Sequence, residues 1–310
     1  MKRVHKLTPS LHANIWGGQR LREYGKISAE DRIGESWELS FVPGGEALTE
    51  DGITLTEAFP KSLLGNRCHR FDFFPVLTKF IDAKEKLSVQ VHPDDEYALS
   101  HEGQYGKSEM WYVVDAEEGA GLYMGLNESC SAEDFASAVR GGSVEKLLCF
   151  KNVKAGDVFF IPAGTIHAIG GGVLIYERQQ NSTLTYRLYD YMRRDKDGNL
   201  RELHVDKAMA VVKTEPYAPL DFSSEPNVIG KCEYFTTKLY LLPNESFCKT
   251  VTDESFLLIT CVKGNGELIY TENNNEEKQM ISPGDSFFIS AGEPYDVKAS
   301  GDMTLITVEV

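Results

Sequence analysis

Residues that bind metal ions recur at informative positions in this chain. Gln90 and His92 lie two positions apart, and Glu109 and His167 follow farther along. On a β-strand alternate side chains share a face, so Gln90 and His92 project together, with Ser88 on the same face. Two imidazoles, a carboxylate and an amide oxygen suit a borderline divalent ion such as zinc, with iron, manganese or cobalt as alternatives. The chemistry indicated is Lewis-acid catalysis.

Each of these residues also has an ordinary structural explanation. A glutamine and a histidine two positions apart in a strand more often pack in the core or face solvent. Glu109 follows Lys107 and Ser108 and could be an exposed charge. His167 follows a turn and could simply bond a backbone carbonyl group. The arrangement of the surrounding motifs therefore carries more information than any single residue.

One such motif occurs twice. The stretch from Gly156 to His167 reads GDVFFIPAGTIH, and the stretch from Gly284 to Tyr295 reads GDSFFISAGEPY. The apolar run in each copy lies between turn residues and is too short for a helix, so it predicts a buried strand. Such internal similarity indicates that one β unit is present twice. Only the first copy ends in a histidine, so only the first is expected to bind metal.

The bulk properties exclude several classes of function. The chain has 310 residues, enough for a sizeable core, and a formal net charge of −15. Nucleic acids and anionic membranes require a basic surface, so neither is an expected partner. The N-terminus has no apolar stretch of the secretory kind, and no segment is long and apolar enough to span a membrane. Six scattered cysteines are typical of reduced thiols in the cytoplasm.

Short strands dominate the predicted secondary structure. Three segments have helical character: residues 54–64, which Pro60 interrupts, residues 131–140 and residues 202–212. A turn-rich stretch with Pro216, Pro219 and Pro226 separates the last helix from the second copy of the repeat. We therefore expect a mainly β protein with a domain boundary near residue 215.

Several motifs together resemble a known family. The spacing of Gly156, Pro162, Gly164 and His167 is similar to the second motif of the cupin barrels. The strings LSVQVHPD at 87–94, KSEMWY at 107–112 and PAGTIHA at 162–168 resemble the type I mannose-6-phosphate isomerases in their short bacterial form. The likeness runs from Trp16 to about residue 212, and the C-terminal third is similar only as a degenerate barrel.

This resemblance implies a fold and a set of site residues. The expected fold is two cupin-like jelly-roll β-barrels, with helical insertions in the N-terminal part. Residues 1–215 would form the catalytic metal-binding domain, and residues 216–310 a degenerate domain without metal. The family implies one Zn²⁺ per chain, held by the four residues with ligand character named above: Gln90, His92, Glu109 and His167.

The resemblance also implies residues that act on the substrate. The catalytic arginine of the family falls on Arg187, and its lysine falls on Lys107. Ser108 departs from the proline that longer relatives often have, which affects the position of Lys107. Ser88 shares the strand face of the metal ligands and is a candidate for binding phosphate. The proton carrier is left open, and Lys107 would serve if burial and a nearby cation lower its pKa.

The function implied is zinc-dependent interconversion of D-mannose 6-phosphate and D-fructose 6-phosphate, by proton transfer between C1 and C2 through an enediolate. The expected partner is therefore a small sugar phosphate, and the sequence leaves the oligomeric state open. Two other functions remain possible at this point. An iron-dependent oxygenase would use two histidines and a carboxylate but has no need of Gln90, Lys107 or Arg187. A non-catalytic sugar-phosphate sensor would bind the ligand without proton exchange.

Overall fold

The computed structural model describes residues 2–195, 197–272, 274–292 and 294–310, with the side chain of Tyr295 outside the description. The described chain is mainly β, as the sequence predicts. Its strands are β1 Val4–Thr8, β2 Ser10–His12, β3 Glu35–Leu39, β4 Leu48–Thr49, β5 Val76–Ala83, β6 Val89–Val91, β7 Glu109–Ala116, β8 Gly121–Leu126, β9 Leu148–Asn152, β10 Val158–Ile161, β11 His167–Ile169, β12 Val173–Gln180, β13 Tyr186–Tyr189, β14 Val228–Lys231, β15 Thr236–Val251, β16 Leu257–Glu272, β17 Asn275–Ile281, β18 Ser286–Ile289 and β19 Tyr295–Glu309.

The α-helices are short and follow local signals. They are α1 Leu55–Ala58, α2 Asp95–Glu102, α3 Ala132–Arg140 and α4 Val205–Val211. The Ser131 hydroxyl caps α3 by accepting a hydrogen bond from the Asp134 amide at 3.1 Å. Pro60 divides the predicted helix at 54–64, because α1 ends at Ala58 and a separate 3₁₀ turn follows at Lys61–Leu63. None of the described helices is long and apolar enough to cross a membrane.

Helix α2 was not predicted from the sequence. Its caps are nevertheless regular, since Asp94 accepts a hydrogen bond from the Tyr97 amide at 3.0 Å and Gly103 ends the helix with φ 64°. Only Ala98 is buried, so the helix has no apolar stripe that periodicity could reveal. Local capping and tertiary contacts, rather than an apolar face, therefore account for α2.

The strands of the described residues form three sheets. One has the order β10-β7-β12-β5-β3-β2, and a second has the order β13-β6-β11-β8-β9. These two sheets pack face to face over a shared apolar cluster that includes Trp111, Leu122, Ile169 and Ile175. We call them, with helices α2 to α4, the first unit. In the first of these sheets β5 and β12 are buried at all eight of their positions, as expected for strands that are covered on both faces.

The third sheet, which we call the second unit, has the order β14-β15-β19-β16-β18-β1-β4, and β17 pairs with β16. Its inner face is filled by apolar side chains such as Leu257, Ile259 and Phe287. Its other face packs on the six-stranded sheet of the first unit through Phe288, Ile306 and neighbouring residues. The hydrogen-bonded sheets remain open at their edges, so the expectation of two closed barrels is not confirmed.

The first strand of the chain belongs to the second unit. In β1, Val4 pairs with Ile289 of β18, and Leu7 pairs with Thr49 of β4. Residues before 215 therefore complete the sheet that is built mainly from residues after it. The boundary between residues 215 and 216 stays a prediction.

The two copies of the sequence repeat have the same local structure. Asp157 Oδ2 accepts a hydrogen bond from the Lys154 amide at 2.9 Å, and Asp285 Oδ2 accepts one from the Ser282 amide at 3.0 Å. The glycine before each aspartate has a left-handed backbone, with φ 94° at Gly156 and 90° at Gly284. The apolar runs that follow are β10 and β18. The His167 position of the second copy falls on Tyr295, whose side chain lies outside the described structure.

Candidate metal centre

Three of the predicted ligands meet at one end of the first unit, between its two sheets. Glu109 begins β7, His92 follows β6 directly, and His167 begins β11. Glu109 Oε1 lies 3.2 Å from His167 Nε2, and Glu109 Oε2 lies 3.6 Å from His92 Nε2. The ligand atoms of the three residues lie within 4.8 Å of one another, and no more than 1% of any of these residues is exposed. The fold thus brings three potential ligands to one point.

Both imidazoles are oriented as metal ligands usually are. The Nδ1 atom of His92 donates to the carbonyl oxygen of Leu184 at 2.8 Å, and that of His167 donates to the carbonyl oxygen of Thr165 at 2.8 Å. These bonds leave each Nε2 atom with its lone pair toward Glu109. Burial lowers the pKa of His92 well below its ordinary value and that of His167 to about 4. Both rings are therefore neutral and able to coordinate a cation.

Glu109 is fully buried, and neither of its carboxylate oxygens has a hydrogen bond of regular geometry. Burial raises the pKa of this carboxyl group to about 8, against the opposing effect of Lys107. The Lys107 Nζ atom lies 2.6 Å from Glu109 Oε2 and 3.2 Å from His92 Nε2. Glu109 Oε2 and His92 Nε2 thus face a positively charged group already. A carboxylate with two neutral imidazoles fits a divalent transition-metal ion such as zinc.

Gln90 lies beside this cluster. Its side-chain amide nitrogen is 3.3 Å from His167 Nε2. Since the amide oxygen and nitrogen are close in size, the opposite orientation of this amide would present its oxygen at the same place. In the five-stranded sheet, Gln90 pairs with His167 on one side and with Arg187 on the other. Directly paired residues share a face, so these three side chains form one row.

Arg187 stands at the end of this row, in β13, and is half-buried. Its guanidinium reaches the carbonyl oxygen of Glu202 at 3.5 Å, and no acid among the described residues forms an ion pair with it. Asp190 instead pairs with Arg193 and with Arg201, the latter at 2.6 Å. A salt bridge to Asp190 therefore does not account for Arg187. Burial and the nearby Arg201 lower its pKa, but an arginine keeps its charge.

Lys107 is held in a way that the sequence did not indicate. Burial disfavours its ammonium group, but attraction from Glu109 and Glu177 outweighs that effect, so its pKa is raised. The condition set for Lys107 as a base, a lowered pKa, is therefore not met while both carboxylates face it. Ser88 is buried immediately before β6, and its contact with phosphate stays a prediction.

Two further buried charges lie beside the site, Lys79 and Glu177, and the sequence did not single out Glu177. Glu177 Oε1 accepts a hydrogen bond from the Trp111 indole at 2.9 Å and lies 3.8 Å from Lys107 Nζ. The Lys79 Nζ atom lies 3.6 Å from Glu177 Oε2. Burial opposes the ionisation of Glu177, yet Lys107 and Lys79 outweigh it and lower its pKa to about 2. A charged residue within the fully buried strand β12 was the signal available, since such a charge needs partners.

Glu35, Trp37 and Glu38 all belong to β3, but they have different surroundings. Glu35 Oε2 accepts from the Trp37 indole at 2.7 Å and lies 3.1 Å from Lys79 Nζ. Glu35 therefore extends the network of buried charges beside the site, and Trp37 contacts it through Glu35. Glu38 is on the other face of β3, where it pairs with Lys26 at 2.9 Å next to the second unit.

Comparison with known proteins agrees with this geometry. Residues 4–120 match the model of the type I phosphomannose isomerase catalytic domain, and residues 227–310 match that of the mannose-6-phosphate isomerase cupin domain. The chain is 38% identical to the mannose-6-phosphate isomerase ManA of Bacillus subtilis over 85% of this chain and 87% of that protein. It is also 38% identical to the mannose-6-phosphate isomerase of Streptococcus mutans, over 84% of this chain and 85% of that one.

The fold is shared along the whole chain. The crystal structure of the mannose 6-phosphate isomerase from Bacillus subtilis superimposes with a TM-score of 0.88 at 33% identity, covering 100% of both chains. The C-terminal third, in which the sequence shows only a degenerate barrel, thus has its own counterpart in these relatives. The extent of this similarity shows that the chain belongs to the type I mannose-6-phosphate isomerase family.

Proposed function

We propose that this protein is a zinc-dependent aldose-ketose isomerase that interconverts D-mannose 6-phosphate and D-fructose 6-phosphate. The relatives named above supply the substrate. The observation that carries the proposal is the buried Glu109 carboxylate, which lies within 3.6 Å of two imidazole Nε2 atoms and next to the Lys107 ammonium. Such a cluster is costly to bury unless it holds a cation and does chemistry.

One Zn²⁺ per chain would be held by Gln90, His92, Glu109 and His167. The bound ion would supply positive charge to the oxygens of the sugar at C1 and C2. The Nδ1 hydrogen bonds of His92 and His167 keep both rings in the ligand tautomer.

Lys107 is the proposed proton carrier. Its ammonium nitrogen lies 2.6 Å from Glu109 Oε2. When the Glu109 charge is engaged by a ligand, the strongest attraction that raises the Lys107 pKa is removed, and burial then lowers it. Glu177, at 3.8 Å, keeps Lys107 Nζ in place during this change. Lys107 can then exchange a proton between the two carbons of the sugar.

Arg187 is proposed to stabilise negative charge on the substrate. It is half-buried, has no acidic partner among the described side chains and lies in one row with Gln90 and His167. A guanidinium in that position can stabilise the enediolate or bind the phosphate group. Ser88, on the neighbouring strand, is the second proposed phosphate contact. These groups supply the local positive and polar surface that an anionic substrate needs in a protein of net charge −15.

We also propose a division of labour along the chain. Residues 1–215 would be the catalytic part, with one cupin-like unit, and residues 216–310 a second cupin-like unit without metal. The apolar side chains on the described inner face of the second unit, such as Leu257 and Phe287, support this division because hydrocarbon side chains offer a cation no ligand atom.

A coupled assay tests the proposal. Purified protein should convert mannose 6-phosphate to fructose 6-phosphate, lose this activity after treatment with a chelator and regain it when Zn²⁺ is added back. Elemental analysis should find one zinc per chain. A protein that contains zinc but does not turn over mannose 6-phosphate would exclude the proposed substrate. Full turnover after complete removal of metal would exclude the proposed metal dependence.

A further inference from the structure

A tyrosine of the second unit contacts helix α2 of the first unit. The hydroxyl group of Tyr234, between β14 and β15, donates to Asp95 Oδ2 at 3.0 Å. Its ring is stacked on Phe71 at 4.9 Å and meets Tyr105 edge-on at 5.1 Å. Burial, followed by the effect of Asp95, raises the Tyr234 pKa, so the phenol stays a donor. Two aromatic neighbours fix the ring, which leaves its hydroxyl one position.

Asp95 connects this tyrosine to the segment before Lys107. Its Oδ1 atom accepts hydrogen bonds from the Gly106 amide at 2.8 Å and from Gln180 Nε2 at 2.9 Å. A Cβ atom at Gly106 would lie 2.6 Å from the Asp95 amide nitrogen, so only glycine lets these two backbones approach. The first turn of α2 therefore holds the residue that precedes Lys107.

Gln180 carries the connection to the metal centre itself. The side-chain oxygen Oε1 of Gln180 accepts a hydrogen bond from the backbone amide of Ser108 at 2.8 Å. The backbone amide of Gln180 donates to the backbone carbonyl of Ser108 at 3.1 Å. Ser108 Oγ accepts in turn from the Ala163 amide at 3.2 Å, in the turn that precedes His167. Ser108 lies between Lys107 and Glu109, so these bonds fix the backbone of both.

The backbone amide of Ser108 explains why Gln180 is needed as a hydrogen-bond acceptor. Proline, which longer relatives often have at this position, carries no amide hydrogen and would leave Gln180 Oε1 without this donor. Ser108 has that hydrogen, and a half-buried donor needs an acceptor. Gln180 accepts it, and Asp95 orients Gln180. Hydrogen bonds of this kind, with an ionised member and little solvent, are strong enough to hold a catalytic strand.

We propose that Tyr234, Asp95 and Gln180 are positioning residues for Lys107 and Glu109, and that the second unit thereby takes part in catalysis. This inference rests on the proposed isomerase function. It assigns a task to the second unit that does not depend on a metal or substrate site of its own.

The test removes one hydroxyl group from each of two adjacent tyrosines. Tyr234→Phe deletes the bond to Asp95. Tyr105→Phe is the matched control, because the hydrogen bonds of its hydroxyl group go to the backbone, including that of Phe73 at 3.0 and 3.4 Å, and not to Asp95. At equal zinc content, Tyr234→Phe should lower kcat about 3- to 10-fold and change KM less than about twofold, in keeping with the effect of outer partners of a metal site. Tyr105→Phe should stay within about twofold of the parent in both.

A double-mutant cycle tests whether the residues act as one chain. Asp95→Asn should lower kcat at least as much as Tyr234→Phe, and the double variant should be no slower than Asp95→Asn alone. If the two losses multiply, the residues act independently and the proposal is wrong. It is equally wrong if Tyr234→Phe lowers kcat no more than Tyr105→Phe does.

A spectroscopic measurement separates this proposal from the proposed function. With Co²⁺ as the bound metal, the visible absorption bands of Tyr234→Phe should shift relative to the parent, and those of Tyr105→Phe should not. This comparison is valid even if mannose 6-phosphate is not the substrate. An unchanged Tyr234→Phe spectrum in a protein that turns over mannose 6-phosphate would overturn the positioning role and leave the function intact.

Discussion

The two units contain the same strand pairing around different side chains. In the first unit, Ile161 of the repeated motif pairs with Glu109. In the second unit, Ile289 occupies the same place in the motif and pairs with Leu257. The strand pairing at this point is therefore the same in both units, and the carboxylate of the first corresponds in the second to a leucine, which offers a cation no ligand atom.

The difference extends to the next pairs. Trp111 is opposite Glu177 in the first unit, whereas in the second Ile259 is opposite Thr307. At this pair the second unit therefore has no counterpart of the Trp111 indole or of the Glu177 carboxylate that lies beside Lys107. Apolar side chains fill the equivalent space. The comparison teaches that the phenylalanines and the isoleucine of the motif maintain the fold, while the residues opposite them determine the chemistry.

Replacing Glu109 by leucine, the residue type at the matching position of the second unit, should reduce zinc binding and activity more than any other change. Glu109→Leu should fold, since Leu257 occupies the matching position, but it should bind no zinc. Loss of the ion removes several kcal/mol of charge stabilisation, so kcat/KM should fall about 1,000-fold or more. Elemental analysis and the coupled assay check this. A Glu109→Leu variant with one zinc per chain would break the comparison.

Arg187 should separate turnover from metal binding. Arg187→Ala should keep its zinc and lose about 100- to 1,000-fold in kcat/KM, as when one donor to a developing negative charge is removed. Arg194→Ala is a suitable control, because this exposed arginine of the following loop bonds the Gly198 carbonyl. Near-normal turnover of Arg187→Ala in the coupled assay would contradict the role given to it.

The reverse transfer should damage stability. Leu257 is 2% exposed within the apolar cluster of the second unit. Leu257→Glu would bury a charge with no partner and should lower the free energy of unfolding by about 3–5 kcal/mol. Leu257→Met, which conserves volume, should cost less than about 1.5 kcal/mol. Urea unfolding measures both, and equal losses would mean that this interior tolerates charge.

Zinc should stabilise the protein through the first unit alone. At a free concentration one hundred times its Kd, the ion should add about 2.7 kcal/mol to the free energy of unfolding of the metal-free protein. Thermal unfolding with and without Zn²⁺ gives the shift. Glu109→Leu should show none of it. The same shift in that variant would locate the ion elsewhere.

The sequence predicts the candidate ligands better than their surroundings. Gln90, His92 and His167 belong to strand and turn motifs that can be seen locally. The contact between Lys79 and Glu177 could not be found in that way, because the two residues meet through the pairing of β5 with β12, which are far apart in sequence. Cross-strand register is a property of the folded sheet, so the buried charge network had no sequence spacing to reveal it.

Some features of the architecture could likewise be predicted from local sequence, and others could not. The repeat, the capped helix α3 and the break at Pro60 follow from local rules and were predictable. Sheet closure was not, because it depends on how strand edges meet in three dimensions. For the same reason, no local pattern predicts that β1 joins β18, which is far away in sequence.

That placement of β1 has a consequence for how the protein is made. Val4 of β1 and Ile289 of β18 pair in one ladder although they are far apart in sequence, and a ribosome synthesises Ile289 long after Val4. The edge of β1 that faces β18 must therefore wait without this partner, even after β1 has paired with β4, until β18 has been synthesised. Closing so large a loop costs chain entropy, and contacts between residues far apart in sequence form slowly. Completion of the second unit is therefore a late folding event. A strand edge left waiting is also open to the wrong partner, so β1 is at risk of mispairing for as long as β18 is missing.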